Sequence, residues 1–291
     1  MQVALTVLGV VIIVAGLRDM YHSLLHPSGK GAISHWVIAA VWKASKATGH
    51  RFGSAVGPAA MVAVVVLWVA MQGVGWALVY APHVPGGFVY SSGIDPAQYH
   101  DFVESLYVSL VTLATLGFGD VVATDPWVRM AAPLEALTGF ALLTTALTWF
   151  TQVYPPLSRR RALALDLKGL ADSGYADRLP RLDPVAAAAV LHTLASQIAK
   201  ARIDLTQHTE SYYFQEEDPD LSLARHLPYA LTLRDTAAAS PTPELQAGAG
   251  VLDQALEQLG TKLREDFVDA GSDLQEVFTS YATDHARTPR A

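Results

Sequence analysis

Two stretches of this chain are long and apolar enough to cross a bilayer, and together they constrain everything between them. Pro58 to Tyr80 carries no charge, and the run from Trp127 to about Val153 carries only Arg129 and Glu135. At about 1.5 Å per residue both can span a hydrocarbon core of about 30 Å. Between them lie two glycines flanking an aromatic residue and followed by an acid, Gly117-Phe118-Gly119-Asp120. In lipid every backbone polar group needs a partner, so non-helical backbone at that depth is buried in protein or lines a watery path. A Gly-Phe-Gly turn in such a place points carbonyls at something hydrated. Taken alone, the hexamer Thr115 to Asp120 also fits a tight turn between two core elements.

Its surroundings favour the first reading. Phe102 to Ala114 can form a short helix with Leu106, Leu110 and Leu113 on one face and Asp101 and Glu104 at its start, where the helix dipole favours acids. Its partly negative end then points at the path. Helix, turn and helix follow in that order, and Thr115-Leu116-Gly117-Phe118-Gly119-Asp120 resembles the selectivity filter of the potassium channel family, usually Thr-Val-Gly-Tyr-Gly-Asp. The resemblance covers about Pro58 to Val153. It implies four copies of the loop around an axis, with carbonyls of Thr115 to Gly119 and the Thr115 hydroxyl replacing the water shell of K+. Alternate residues need the φ values that glycine permits. Leu116 and Phe118 then point outward and pack the strand, while Asp120, Tyr107 and Glu135 brace it. Leu116 for Val and Phe118 for Tyr depart from the common pattern, and the second removes a bracing hydroxyl. Gly139, nineteen residues past Asp120, matches the family's hinge glycine, although glycine in a membrane helix also serves close packing. Leu143, Thr144, Ala146, Leu147 and Thr148 become candidates for the cavity wall. Where some members carry a glutamate behind the filter, this chain has Val111.

Glu135 lies inside a membrane segment, where an ionisable group is costly and faces protein or water. Bracing of the filter through the pore helix is the favoured role; a proton-sensitive gate and a structural acid near Thr112 or Thr138 are the alternatives. The chain has one pore motif, so a ring of four filters requires a homotetramer. No helix repeats Arg or Lys at every third position, which argues against a voltage sensor.

Charge sets the expected topology. Of 20 Lys and Arg and 27 acids, nine and seven lie in residues 1–161, leaving eleven and twenty in residues 162–291. From Phe52 to Val128 there is no Lys or Arg, but Asp95, Asp101, Glu104, Asp120 and Asp125 are present. The positive-inside rule then puts the loop containing Lys30, Lys43, Lys46 and Arg51, and the cluster Arg159-Arg160-Arg161, in the cytoplasm. The pore loop and N-terminus face out, and the acidic mouth concentrates cations. Residues 2–17 are apolar but short; extension through Arg18 and Asp19 to Leu25 spans the bilayer, with that pair snorkelling or bonding each other. A retained helix is favoured over a signal peptide, because no basic n-region precedes it. Beyond His26-Pro27, Ser34 to Thr48 places Trp36, Val37, Ala40, Val41 and Ala44 on one side of a helix, interfacial or packed on protein. Trp42 fits neither.

The resulting division is an N-terminal transmembrane helix (1–26), a basic cytoplasmic loop (27–57), a pore module (58–154) and a helical cytoplasmic domain (155–291), in an all-α, multi-pass plasma-membrane protein. Tyr154-Pro155-Pro156 should end the inner helix. Asp183-Pro184 reads as a cap and first turn. Ala187, Leu191, Leu194, Ile198, Ala201 and Leu205 then form a seam that His208 and Tyr212 continue. Leu252, Leu256, Leu259, Leu263 and Phe267 form a second, followed by Ala270, Leu274 and Val277. Asp218 to Ala239 reads as a helix interrupted at Pro228. The cytoplasmic helices pack on themselves or across the tetramer, as an antiparallel bundle or a coiled coil. The acidic run Glu216 to Asp220 lacks calcium-loop spacing and reads as a solvated turn. The scattered histidines (His192, His208, His226 and His285) read as surface residues rather than pH sensors.

No Gly-x-Gly-x-x-Gly follows a strand, so no nucleotide-binding regulatory domain is expected. No organic cofactor, nucleic-acid partner or enzyme activity is expected either; K+ is the permeant ion, and the partners are lipid and further copies of the chain. With no cysteine, thiolate chemistry is excluded. The expected function is a passive potassium-selective channel. The alternatives are a membrane-anchored sensor or scaffold with a non-conducting pore module, and a weakly selective cation channel.

Overall fold

The computed structural model describes residues 2–24 and 31–290, so the expected features at Leu25, His26-Pro27 and Lys30 lie outside the described residues. The chain divides into two compact units: Met1–Val37 with Met61–Thr151, and Ile38–Ala60 with Gln152–Ala291. Residues 38–60 thus group with the C-terminal helices. Trp42, on the second half of α2 (Ala32–Ala47), is one of the residues that join them.

In the first unit, helix α1 spans Gln2–Leu24 and α2 begins at Ala32, ending at Ala47. Helix α3 spans Val56–Tyr80, and its C-terminal end leads to the short strand β1, Phe88–Tyr90. Helix α4, Asp101–Leu113, precedes the glycine turn; strand β2, Val121–Ala123, and helix α5, Pro126–Gln152, follow it. α1, α3 and α5 are long and apolar enough to cross a membrane. β1 and β2 pair antiparallel, with Tyr90 opposite Val121, where the sequence pattern suggested only loop. A three-residue pair carries too little period-2 signal to be read.

α1 packs antiparallel on α3 through small residues: a Cβ on Gly9 would lie 2.5 Å from the Gly75 carbonyl oxygen. Close backbone approach of this kind is how helices gain packing contacts in lipid. Asp19 is 4% exposed and does not pair with Arg18. Its carboxylate instead accepts from the amides of Ile33 (2.8 Å) and Ser34 (3.1 Å) at the start of α2, and from Trp68 Nε1 of α3 (2.9 Å). An acid at a helix N-terminus satisfies amides that have no partner within the helix.

The second unit holds the remainder of α2 and seven further helices: α6 (Tyr154–Asp172), α7 (Tyr175–Arg178), α8 (Pro184–Gln207), α9 (Leu223–His226), α10 (Tyr229–Ala238), α11 (Pro243–Asp266) and α12 (Leu274–Asp284). Pro155 and Pro156 sit in the first turn of α6, where their missing amides cost nothing. Asp183 caps α8 by accepting from the Ala186 amide at 2.9 Å. All six seam residues from Ala187 to Leu205 are buried, as are Leu252, Leu256, Leu259 and Leu263. The two seams face each other in parallel rather than antiparallel. Gly248 lies against Ala188 and Leu191, and Leu259 and Leu263 share a wall with Ala201 and Leu205. The chain between them, through α9 and α10, is long enough to return to the starting end, which seam spacing alone does not reveal. α11 stops at Asp266, so Leu274 and Val277 belong to α12, capped by Asp273 accepting from the Glu276 amide.

Several polar residues expected at the surface are buried here. Arg160 donates to the carbonyls of Ser211 (2.7 Å) and Phe214 (2.8 Å) and to Glu216 (3.1 Å), while Arg161 donates to the other Glu216 oxygen at 2.8 Å. Arg159 forks onto Asp204. Glu216 is thus no solvated turn residue. His226 and His285 are also buried rather than on the surface.

The buried side of α2 is Ser34, Ile38, Trp42 and Ser45, not the Trp36, Val37, Ala40, Val41 and Ala44 side expected from polarity; Trp36 is 71% exposed. Trp42 sits in an aromatic nest of His50, Tyr212, Tyr213 and His285, and its Nε1 donates to Asp284 at 2.9 Å. Tyr212 and Lys46 donate to the same carboxylate.

Candidate functional site

The glycine turn inherits its starting direction from α4. At the helix end the Ala114 amide still donates to Leu110, the Thr115 amide donates to Thr112 (2.9 Å) and the Leu116 amide to Val111 (2.9 Å). From there φ changes sign residue by residue: Thr115, Gly117 and Gly119 have φ of +57°, +54° and +75°, whereas Leu116 and Phe118 are not in the positive region. Two of the three positive positions are glycine, which adopts them without a Cβ clash. Thr115 is not, and a β-branched residue there holds a strained conformation that its surroundings must impose. Alternation of this kind turns successive carbonyls toward the same side and successive side chains away from it.

Leu116 is 57% and Phe118 is 65% exposed, so the outward packing expected of them is not supplied within one chain. Asp120 is tied back to α4 by a short hydrogen bond from the Tyr107 hydroxyl, and its carbonyl accepts from the Ser91 amide at 2.8 Å, next to the β1–β2 pair. Behind the strands, Tyr80, Phe88, Val108 and Val128 form an apolar cluster joining α3, β1, α4 and α5.

Glu135 is fully buried in α5. Its two oxygens accept from Tyr80 Oη of α3 (2.6 Å) and Ser109 Oγ of α4 (2.6 Å). Ser109 also reaches the Gly73 carbonyl of α3 at 2.9 Å, so one hydroxyl proton faces two acceptors. The carboxyl thereby links three helices. Thr138 donates to the Glu135 carbonyl oxygen rather than to its side chain. Neither Tyr80 nor Ser109 was visible as a partner in the sequence; a tyrosine ending a charge-free span and a serine on the inward face of a short helix were the available signals.

α5 runs unbroken through Gly139. A Cβ there would lie 1.9 Å from the Leu113 carbonyl oxygen, so glycine lets α5 meet the end of α4 backbone to backbone. Of the candidate wall residues, Leu143, Thr144, Leu147 and Thr148 are exposed in the chain, while Ala146 is buried. Thr144 and Thr148 donate to carbonyls four residues earlier, which keeps their hydroxyls satisfied in an apolar setting. The acids between α3 and α5 are partly engaged in structure: Asp95 accepts from the Ala97 amide, Asp125 caps α5, and Glu104 is buried. Among the described residues no cluster of ligands suits a metal ion.

Residues 63–154 match a family model described as "Ion channel". Two-pore potassium channel 5 of Arabidopsis thaliana is 37% identical over 57 residues, which is 20% of this chain and 13% of that protein. No solved structure matches. The family match thus covers under half of a mostly helical chain, and within it lie most of α3, all of α4 and α5, and the glycine turn.

Proposed function

We propose that this chain is one subunit of a homotetrameric, potassium-selective channel that conducts passively. Thr115 to Gly119 form the filter, Tyr107 and Asp120 hold its outer end, and Glu135 fixes the pore helix α4 against α3 and α5. The observation that carries this reading is the alternation of positive φ at Thr115, Gly117 and Gly119, because a file of carbonyls on one side is what replaces an ion's hydration shell. The exposed Leu116 and Phe118 support it further, since adjacent copies would cover them. In this reading the N-terminus is outside, the C-terminal helices are cytoplasmic, K+ is the permeant ion, and the exposed face of α5 lines the path, with Gly139 as its closest contact to α4.

The test is ion flux from liposomes containing the purified protein, with K+ and Na+ gradients in parallel and Gly117→Asp as control. K+ flux well above Na+ flux, blocked by barium and absent in the variant, is the expected result. Flux that survives Gly117→Asp would remove the filter from these residues. Equal K+ and Na+ flux would leave a non-selective cation pore.

A further inference from the structure

α1 contributes more than a third span. Along its outer side Val10, Val11, Val14 and Ala15 form the apolar wall of an open groove of about 740 Å³, which ends at Arg18, Asp19 and His22 and is floored by Ala32 and Ile33 at the start of α2. Val10, Val11 and Val14 are exposed within the chain. From Val10 to His22 the groove runs for about 18 Å along the helix axis.

Asp19 is buried, and its oxygens are directed at the Ile33 and Ser34 amides and at Trp68. Arg18 makes no hydrogen bond or ion pair with any described residue. An exposed guanidinium near the end of a membrane helix, with no counter-charge among the described residues, reaches the headgroup layer, where lipid phosphates can meet it. It also carries a planar fork of donors that suits phosphate oxygens.

We propose that this groove is a binding site for an anionic phospholipid, whose acyl chain lies along Val10, Val11 and Val14 and whose phosphate is held by Arg18. The occupant is a lipid and not a soluble phosphate, because the greater part of the lining is apolar and faces the hydrocarbon layer. The proposal depends on α1 being a membrane helix and not on whether the pore conducts, so a failure of either reading leaves the other untouched.

The experiment is native mass spectrometry of the full-length protein in a non-ionic detergent, titrated separately with dioleoyl phosphatidylglycerol and dioleoyl phosphatidylcholine. The expected result is preferential retention of phosphatidylglycerol, weakened about five-fold by Arg18→Gln, which corresponds to one basic residue near a lipid surface, and largely preserved in Arg18→Lys. Val14→Trp, which keeps the charge and fills the groove, should weaken retention as well and guards against a folding defect in the Arg18 variant. Equal retention of the two lipids would overturn the proposal, and would fit a groove closed by a neighbouring copy. Retention unchanged by Arg18→Gln would remove the guanidinium from the site, and retention unchanged by Val14→Trp would remove the groove.

Discussion

The glycine turn and the paired seams of α8 and α11 satisfy themselves in opposite ways. In the helical unit the seam leucines are all buried within one chain, and even the charged Arg160 and Glu216 find their partners there. In the turn, Leu116 and Phe118 stand in the open and the backbone alternates through conformations that only glycine adopts freely. One region is complete as a monomer; the other has a backbone held from behind by Tyr107, Ser91 and α4 but lacks cover on its other sides. A segment that keeps strained φ values and exposes its bulky side chains is shaped for something beyond its own chain, which the proposed tetrameric pore would supply.

The contrast can be broken most directly at Gly117. In the single chain a Cβ at this position meets nothing within 4 Å, and the strain of a side chain at φ +54° is confined to the turn, so Gly117→Asp should keep the subunit's helical content while abolishing K+ flux. Circular dichroism with flux measurement separates the two effects, and a loss of helical content would contradict the claim that the turn contributes little to the subunit's own stability. The reverse experiment is Leu191→Ala in the α8 seam. A fully buried leucine leaves a cavity, and a destabilisation of about 2–5 kcal/mol is expected in thermal or denaturant unfolding, with the K+ to Na+ flux ratio unchanged. A changed ratio would mean that the helical unit shapes the filter.

A smaller effect is expected behind the turn. Ser109→Ala removes the one hydroxyl proton that a Glu135 oxygen and the Gly73 carbonyl share, at a cost of about 1–3 kcal/mol. If the carboxyl link positions α4, the variant should also lower the K+ to Na+ flux ratio. Stability loss with an unchanged ratio would make the link purely structural.

The last prediction concerns pH. His285 is buried among Trp42, Tyr212 and Tyr281, and burial, reinforced by Arg160, pushes its imidazole down to about 3 against the nearby Asp284. The unfolded chain therefore binds this proton first. Stability from His285 is fully present above pH 6.5 and declines as pH falls toward 3, by about 1.4 kcal/mol per pH unit for one proton. Unfolding midpoints measured across that window should show the slope, and His285→Phe should flatten it; an unaltered slope would assign the effect to other groups.

Much of this architecture was readable as sequence. Charge-free length marks α3, the two glycines mark the turn, Asp183-Pro184 marks the start of α8, and heptad-like spacing marks both seams. Trp42 was the informative failure. Polarity left it unplaced on the flank of α2 that carries the charged Lys43 and Lys46, yet its indole is 5% exposed and bonded to a carboxylate 242 residues away. Asp19 failed in the same manner: Arg18 was the adjacent partner, and amides from the next helix took its place. Glu135 was conspicuous as a buried acid, but Tyr80 and Ser109 were not, since each lies far from it in sequence.

Local pattern alone therefore determined which segments are helical, which can cross a bilayer, and where backbone must depart from helix. Those properties depend on apolar period, length and glycine placement, all of which act over a few residues. The tertiary structure decided the partners: that α8 and α11 run parallel, that the second half of α2 belongs to the C-terminal unit, that Asp19 caps a helix, and that Glu135 joins three. Buried polar groups must be satisfied by whatever donor the fold brings near. That donor can come from any distance along the chain, so no window of sequence contains it.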